Sequence, residues 1–263
     1  MIPIIDAHIH LDQYEQKERE RLLAFLGPEV KGLVAVSMHE ESCRALLEIK
    51  RRTAYPLFLA FGFHPEQALF GKTEEERLFQ WIRDNRQEMA AIGEVGLPYY
   101  ARAAAEAAGE RFDQGPYIAL LERFIQLAAE LDKPIVLHAV YEDADIACDL
   151  LDAYGVQRAH FHWFKGSEDT LRRMEAKGRF ISVTPDVVYR ERSRRLVEQY
   201  PIRLLMAETD GPWPFEGPFQ GQRTHPEMIR YSIREIAAIK QMTEEEAGNI
   251  LYENTLRFYG RTD

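Results

Sequence analysis

The chain has 263 residues, of which 46% are apolar and 11% aromatic; this is enough to build a packed core and excludes wholesale disorder. Its 33 basic and 43 acidic residues give a formal net charge of −10. That charge argues against non-specific binding along duplex DNA, although not against a nucleic acid held in a local pocket. The two cysteines, Cys43 and Cys148, cannot build a disulfide framework, and we expect both to be buried.

The first residues of the chain do not resemble a targeting segment. They carry no basic region before the apolar residues and no small-residue cleavage site, so no signal peptide is predicted. No apolar run approaches the roughly 18 residues that a membrane helix needs. These features predict a cytoplasmic protein that does not bind membranes.

Eight short apolar runs alternate with helical patterns along the chain. Continuous apolar runs are typical of strands that are buried on both faces, as in a parallel sheet. The predicted strands cover residues 2–5, 33–37, 57–63, 90–95, 134–138, 158–162, 179–183 and 203–206. Apolar stripes predict helices over residues 75–85, 118–131, 145–153, 226–240 and 243–258. The alanine-rich segment 101–109 is either a helical excursion or a mobile loop near the active face.

Strand alternating with helix about eight times in roughly 250 residues is the pattern of an α/β protein with a (β/α)₈ TIM barrel. We therefore expect a single barrel domain over residues 1–263. The alternative is an open, doubly wound parallel sheet. It is disfavoured because no glycine-rich phosphate loop follows the first strand.

Titratable side chains gather where the predicted strands end. Seven of the eight histidines lie at such positions, and the exception is His225; the seven are His8, His10, His39, His64, His138, His160 and His162. Three carboxylates lie there too: Glu94, Glu208 and Asp210. The chemistry of a (β/α)₈ barrel takes place at the C-terminal ends of its strands. His8 and His10 are two residues apart, so on a strand they point to the same side and can bind one metal ion.

Imidazole and carboxylate groups together predict a metal site. Six candidate ligands are more than the four that a tetrahedral zinc ion uses: His8, His10, Glu94, His138, His162 and Asp210. Two-metal sites hold their ions about 3.5–4 Å apart and activate a water for attack on an ester or phosphodiester. The residues therefore favour two divalent ions. Zinc, manganese, cobalt, nickel and magnesium all remain open.

Six motifs, in this order along nearly the whole chain, resemble the TatD family of metal-dependent deoxyribonucleases, which are amidohydrolase-like barrels. The motifs are Asp6-Ala-His-Ile-His10, Gly62-Phe-His-Pro65, Gly93-Glu-Val-Gly-Leu97, Lys133-Pro-Ile-Val-Leu-His138, His162-Trp-Phe-Lys-Gly-Ser167 and Glu208-Thr-Asp-Gly-Pro212. The resemblance implies that His8, His10 and Asp210 hold one metal ion and that His138 and His162 hold a second. Glu94 would bridge the two ions.

The same resemblance implies further roles. His64 would lie at the substrate as a phosphate contact or proton donor, and Asp210 would also orient the attacking water. With Glu94, these are the expected catalytic residues. Glu208 would support the metal ligands from behind, although a solvated carboxylate is an equal alternative. His160 is expected to be structural, but its spacing from His162 leaves a ligand role open.

This chain departs from the family pattern at two places near the substrate. Pro98 stands where many members have an aspartate after the Gly-Glu-x-Gly-Leu motif. Ala139 and Val140 follow the histidine of strand five, where an arginine and an acid are common. Neither change removes a predicted metal ligand, so the metal site is predicted more firmly than the substrate.

The expected reaction is hydrolysis of a phosphodiester, and the leading hypothesis is a 3′–5′ exonuclease that acts on single-stranded DNA. The assumed oligomeric state is a monomer. Hydrolysis of another small ester, lactone, amide or phosphoester is the alternative, and a non-catalytic metal-binding scaffold is the least favoured. Lys165 and Arg223 are predicted phosphate contacts because each lies beside a motif. Aromatic residues near the motifs either stack on bases of a single strand or pack the loops; they are Tyr99, Tyr100, Trp163, Phe164, Trp213, Phe215 and Phe219. A basic run either contacts a nucleic-acid backbone or forms a solvated helix face; it consists of Arg190, Arg192, Arg194 and Arg195.

Overall fold

A computed structural model describes residues 1–260, so positions 261–263 of the expected domain lie outside the described residues. Eight parallel strands follow one another around the sheet in sequence order. They are β1 Ile4–Ile9, β2 Val30–Val36, β3 Leu57–Phe61, β4 Ala91–Gly96, β5 Ile135–His138, β6 Ala159–Phe161, β7 Phe180–Val183 and β8 Leu205–Ala207. This order confirms the predicted (β/α)₈ TIM barrel. The alternative, an open doubly wound sheet, is wrong because that fold reverses its strand order at a switch point.

Helices surround the strands and cover them from outside. They are α1 Gln16–Ala24, α2 Glu40–Arg52, α3 Lys72–Asp84, α4 Tyr99–Ala107, α5 Gly115–Glu130, α6 Asp143–Ala153, α7 Glu168–Ala176, α8 Glu191–Gln199, α9 Ile229–Lys240 and α10 Glu244–Tyr259. The five predicted helices are all present, with ends shifted by up to three residues. The alanine-rich segment belongs to α4, so the helical alternative is confirmed there.

Residues at the helix ends explain several of these boundaries. Thr243 and Glu246 form a reciprocal capping box at the start of α10. At the start of α2, the imidazole Nδ1 of His39 accepts a hydrogen bond from the backbone N–H of Ser42. His39 therefore serves as a helix cap, which accounts for its position after β2.

Two predicted strand boundaries need correction at places that matter for the site. β1 extends to Ile9 and every residue in it is buried, so Asp6 and His8 lie inside the strand. The prediction ended this strand at residue 5 because it followed the apolar run alone. β6 ends at Phe161, so His160 lies inside the strand and His162 just beyond it.

The barrel closes between β8 and β1 through the segment that follows β8. The backbone N–H of Asp210 donates to the carbonyl of His8 at 2.9 Å, and that of His10 donates to Gly211 at 2.8 Å. The buried carboxylate of Asp6 accepts hydrogen bonds from the backbone N–H and the hydroxyl of Thr209. This seam brings the motif at the end of β1 against the motif after β8.

Within residues 1–260, none of the helices is both long enough and apolar enough to cross a membrane.

Candidate metal centre

Glu94 lies at the centre of a cluster at the C-terminal end of the barrel. It comes from β4, its side chain is fully buried, and five histidines surround it. One oxygen, Oε2, lies 3.1 Å from His8 Nε2 and 3.3 Å from His10 Nε2. The other oxygen, Oε1, faces three nitrogens: His162 Nε2 at 2.8 Å, His138 Nδ1 at 3.0 Å and His64 Nε2 at 3.4 Å. The two carboxylate oxygens thus face two different groups of histidines.

Asp210 completes the group on the Oε2 side. It follows β8, and its Oδ1 lies 3.5 Å from His8 Nε2 and 3.4 Å from His10 Nε2. The backbone of Asp210 has φ +51°, a left-handed conformation that aspartate adopts more readily than most residues. His8, His10 and Asp210 present one donor atom each within the span that a single metal ion requires.

The unsatisfied atoms of the cluster fit a bound cation. His8 Nε2, Glu94 Oε2 and Asp210 Oδ1 are buried, yet among the described residues none of these atoms has a hydrogen-bond partner. Buried polar atoms without partners are costly, whereas a metal ion satisfies such atoms by coordination. The predicted ligands are therefore brought together in a form suited to metal binding.

Two glycines allow the Glu94 segment to pass this close to β5. Gly93 has φ +149°, and a Cβ there would lie 2.7 Å from the Cβ of Val136. Gly96 has φ +159°, and a Cβ there would overlap the carbonyl oxygen of His138. The glycines of the Gly-Glu-x-Gly motif are therefore explained by packing, since a larger residue at either position would push β4 away from β5.

Glu66 orients His138, although no sequence motif predicts this role. Its Oε1 lies 3.3 Å from His138 Nε2, while its two oxygens accept hydrogen bonds from the backbone N–H groups of Tyr100 and Ala101. With Nε2–H directed to Glu66, His138 turns the lone pair of Nδ1 toward Glu94; this tautomer is inferred from the partners. The only signal in the sequence was its place directly after Gly62-Phe-His-Pro65.

Glu208 faces the other ring nitrogen of His162. It is fully buried, and its Oε1 lies 3.6 Å from His162 Nδ1 and accepts a 2.8 Å hydrogen bond from the backbone N–H of Trp163. The alternative of a solvated carboxylate is therefore wrong. His162 also stacks on His8 with ring centroids 3.9 Å apart, which fixes the plane of its ring.

His64 faces the cluster with a donor rather than a lone pair. Its Nδ1 accepts a hydrogen bond from the backbone N–H of Glu66 at 3.2 Å. A neutral imidazole that accepts at Nδ1 carries its proton on Nε2. Nε2 is the atom that lies 3.4 Å from Glu94. The three ligand atoms of His64, Glu94 and His138 are close enough for a metal ion, but this tautomer suits His64 to donating a hydrogen bond.

His160 lies outside the ligand groups and holds a buried chain of hydrogen bonds. Its Nδ1 lies 2.6 Å from the hydroxyl of Tyr259, and its Nε2 lies 2.7 Å from Ser182 Oγ. Ser182 Oγ in turn donates to Glu208 Oε2 at 2.6 Å. Tyr259 therefore donates to His160, His160 to Ser182, and Ser182 to Glu208. This chain supports the structural interpretation of His160 and connects the last turn of α10 to the carboxylate behind His162.

Charge within the cluster is balanced between the carboxylates and the histidines. Burial alone would raise the pKa of Glu94, but the surrounding histidines hold it well below its usual range. Burial would lower the pKa of His10, but the adjacent carboxylates of Asp210 and Glu94 raise it. Protons and a metal ion would therefore compete for the same donor atoms.

The two predicted phosphate contacts lie in different surroundings. Lys165 is 9% exposed, and its Nζ donates a 2.5 Å hydrogen bond to the hydroxyl of Tyr100. Arg223 has a side chain that is 77% exposed and forms an ion pair with Glu18. The structure thus places Lys165 beside the cluster and joins Arg223 to α1 instead.

The aromatic residues near the motifs divide by burial. Phe164, Phe215 and Phe219 are buried and belong to the packing of the loops. Tyr100 and Trp213 are exposed by 43% and 57%. Only part of the predicted aromatic group is therefore available to a ligand.

A cluster of histidines and carboxylates at this end of a (β/α)₈ barrel defines a metal-dependent hydrolase. The family model described as TatD related DNase matches residues 5–260. An uncharacterized metal-dependent hydrolase of Haemophilus influenzae is 36% identical over 256 residues, which cover 97% of this chain and 99% of that protein. The human deoxyribonuclease TATDN3 is 26% identical over 269 residues, covering 98% and 95% of the two chains. The chain belongs to the TatD family.

Solved structures agree with this fold. YJJV, a TatD homologue of Escherichia coli, superimposes with a TM-score of 0.83 at 24% identity, and the match covers 99% of both chains. The resemblance stated from the motifs, the barrel and the hydrolase class are therefore confirmed.

Proposed function

We propose that this protein is a nuclease that hydrolyses phosphodiester bonds of DNA with two divalent metal ions, removing nucleotides from the 3′ end of a single strand. The observation that carries the proposal is that the two carboxylate oxygens of Glu94 face different histidines. Oε2 faces His8 and His10, while Oε1 faces His138 and His162. A carboxylate with one oxygen for each group of ligands is the arrangement of a bridged two-metal site.

The ligands in this proposal follow from that division. His8, His10 and Asp210 hold the first ion, His138 Nδ1 and His162 Nε2 hold the second, and Glu94 is shared. Such a pair of ions polarises the phosphoryl group and makes a water nucleophilic at neutral pH. Four imidazoles suit zinc, manganese, cobalt and nickel, and magnesium is the common ion of phosphoryl chemistry.

Two residues handle protons in the proposed reaction. Asp210 Oδ1 accepts a hydrogen bond from the attacking water and orients it toward phosphorus. His64 Nε2–H, on the other side of Glu94, donates a hydrogen bond to the leaving oxygen, which takes its proton from water. Because Nδ1 of His64 is already occupied by the backbone of Glu66, this ring cannot turn its lone pair to the leaving group without losing that bond.

The second candidate is hydrolysis of another small ester, lactone, amide or phosphoester. The observation in its favour is the pair of departures at Pro98 and at Ala139-Val140, which change the groups beside the substrate and leave the cluster intact. Fold likeness alone does not separate the two, since one barrel supports many chemistries.

The test is digestion of an end-labelled single-stranded oligonucleotide. The protein is stripped of metal and then given magnesium, manganese, cobalt or zinc, with simple aryl phosphodiesters and lactones in parallel. His138→Ala removes a proposed ligand. His39→Ala is the matched control, because His39 also follows a strand but caps α2.

We expect a ladder that grows from the 3′ end when metal is restored, kept in His39→Ala and lost in folded His138→Ala. A ladder from the 5′ end would reverse the proposed polarity. A folded protein that binds two ions but cleaves no oligonucleotide under any metal would overturn the nuclease proposal and favour the small-ester alternative.

A further inference from the structure

One wall of the site, formed by segments that follow β4, β5, β6 and β7, is built from tyrosines and two cations. It occupies the place where the chain departs from the family pattern at residues 98 and 139–140. Tyr99 follows Pro98, Tyr141 follows Val140, and their rings pack with centroids 4.6 Å apart. Aromatic rings thus lie next to the positions where polar groups were expected.

Lys165 lies in this wall as a buried cation. Its Nζ lies 4.3 Å from the ring centroid of Trp163 and 5.1 Å from that of Tyr100, and it donates to the Tyr100 hydroxyl. Within residues 1–260, no carboxylate lies within ion-pair distance of this ammonium group. A buried charge that has aromatic and hydroxyl neighbours but no counter-ion is incompletely compensated.

Arg192 is the second cation. It belongs to a basic run in which the other three arginines pair with carboxylates: Arg190 with Glu216, Arg194 with Glu235 and Arg195 with Glu191. Arg192 Nη1 instead donates to the hydroxyl of Tyr141 at 2.8 Å. As far as the chain is described, Arg192 has no acidic partner. The run is therefore mostly an ion-paired helix surface, and Arg192 is the member left to meet a ligand.

The wall adjoins the metal centre. The ring of Tyr100 lies 6.0 Å from the ring of His138, and its backbone N–H donates to the same Glu66 that orients His138. The ring of Tyr100 therefore lies between Lys165 and His138, a proposed metal ligand. An anion at Lys165 would lie beside the reacting group rather than on it.

Each cation also affects the other. Burial lowers the pKa of Lys165 to about 8, and the positive charge of Arg192 adds to this effect. Two cations that repel each other in a protein of net charge −10, and that donate to neutral hydroxyls, gain most from a shared anion.

We propose that Lys165 and Arg192 form a subsite for a second phosphoryl group of the substrate, one that is not hydrolysed. The inference deepens the proposed nuclease function and rests on it for the identity of the scissile bond. The phosphoryl group is either a terminal monoester or the next diester along a strand, since both present the same oxygens to the two cations.

The test compares thymidine oligonucleotides that differ only in a second phosphate. The substrates are dTpdT, with one diester, the same dinucleotide with a 5′-terminal or a 3′-terminal phosphate, and the trinucleotide dTpdTpdT. KM and kcat are measured for wild type, Lys165→Met, Lys165→Arg and Arg192→Gln. Arg190→Gln is the matched control, because Arg190 is exposed, lies next to the same helix and has a carboxylate partner.

We expect a second phosphate to lower KM at least about tenfold in wild type, in Arg190→Gln and in Lys165→Arg. Lys165→Met should lose this advantage, and Arg192→Gln should lose part of it. Three of the substrates carry a second phosphate, and the one whose KM falls shows whether the subsite binds a terminal monoester or the next diester.

A direct binding measurement separates this proposal from the nuclease proposal. Calorimetry of the metal-stripped protein with thymidine 3′,5′-bisphosphate and with thymidine needs no turnover. Binding of the bisphosphate that is lost in Lys165→Met supports the subsite even if no diester is cleaved. Equal KM with and without the second phosphate, or bisphosphate binding that Lys165→Met leaves unchanged, would overturn it while leaving the nuclease proposal standing.

Discussion

At the scale of single residues, two histidines of the cluster have a second carboxylate opposite the ring nitrogen that faces away from Glu94. Glu66 takes Nε2 of His138, and Glu208 faces Nδ1 of His162. A histidine ligand gains both orientation and basicity from such a partner. The two histidines consequently present different ring nitrogens to the same carboxylate oxygen, Nδ1 from His138 and Nε2 from His162.

Replacing Glu66 tests whether orientation of His138 contributes to metal binding. Glu66→Gln removes the charge opposite Nε2 and should weaken metal affinity about 10- to 100-fold, because His138 is then free to rotate or change tautomer. Metal titration against a chelator measures the change. Glu110→Gln, at an exposed position, should leave affinity unchanged. Equal affinity of Glu66→Gln and wild type would show that Glu66 does not orient the ligand.

The pKa of Lys165 predicts how substrate affinity changes with pH. Burial depresses this pKa to about 8, so the cation is present below pH 8 and is lost as pH rises through that value. KM for a substrate with a second phosphate should therefore rise above pH 8. In Lys165→Arg the rise should disappear, because a guanidinium stays charged throughout this range.

The control for this titration is dTpdT, which lacks the second phosphate and should show no matching rise in KM. A pH dependence that persists unchanged in Lys165→Arg would assign the titration to another group.

Single residues also mark the limit of what the sequence could predict. The six proposed ligands could be singled out because each lies in a motif at a strand end. Glu66 and Ser182 lie 72 and 26 residues from His138 and Glu208, the groups that they contact, and only the barrel brings them together. The hydroxyl of Tyr259 reaches His160 across 99 residues, a distance that no local pattern spans.

At the scale of elements, apolar runs located the strands but misplaced some ends. β1 continues through Asp6 and His8 because these polar side chains are buried by specific partners, Thr209 and the cluster. A hydropathy pattern cannot anticipate that compensation. The helices were easier to predict, since α10 and α5 carry local capping and apolar signals.

The contact between β4 and β5 depends on Gly96. A Cβ at this position would overlap the carbonyl oxygen of His138, so Gly96→Ala should force the strands apart and lower the free energy of unfolding by about 2 kcal/mol or more. It should also weaken metal binding, since both strands carry ligands. Denaturant unfolding and metal titration measure the two effects.

Gly71→Ala is the matched substitution, because a Cβ there would meet only the Glu74 side chain at 3.6 Å. Its unfolding free energy should stay within about 1 kcal/mol of wild type. Similar losses in the two variants would show that close approach at Gly96 is not the cause.

At the scale of the whole molecule, metal binding and barrel closure depend on the same seam. His8 and His10 come from one side of the seam and Asp210 from the other, while Asp6 and Thr209 join the two sides directly beneath them. The first ion would therefore bridge the beginning and the end of the barrel. Loss of the seam should separate the ligands of this ion before it affects His138 and His162.

Thr209→Val tests this coupling. The substitution keeps the shape but removes the hydroxyl that donates to Asp6 Oδ2, leaving a buried acceptor unsatisfied at a cost of about 1–3 kcal/mol. We expect reduced stability, faster amide exchange at residues 4–9 and 208–211, and weaker binding of one metal ion. Thr255→Val is the control, since Thr255 is also buried but, among residues 1–260, its hydroxyl bonds only to the Leu251 carbonyl within α10. Stability lost equally in both variants, with both metal affinities unchanged, would mean that the seam and the first ion are independent.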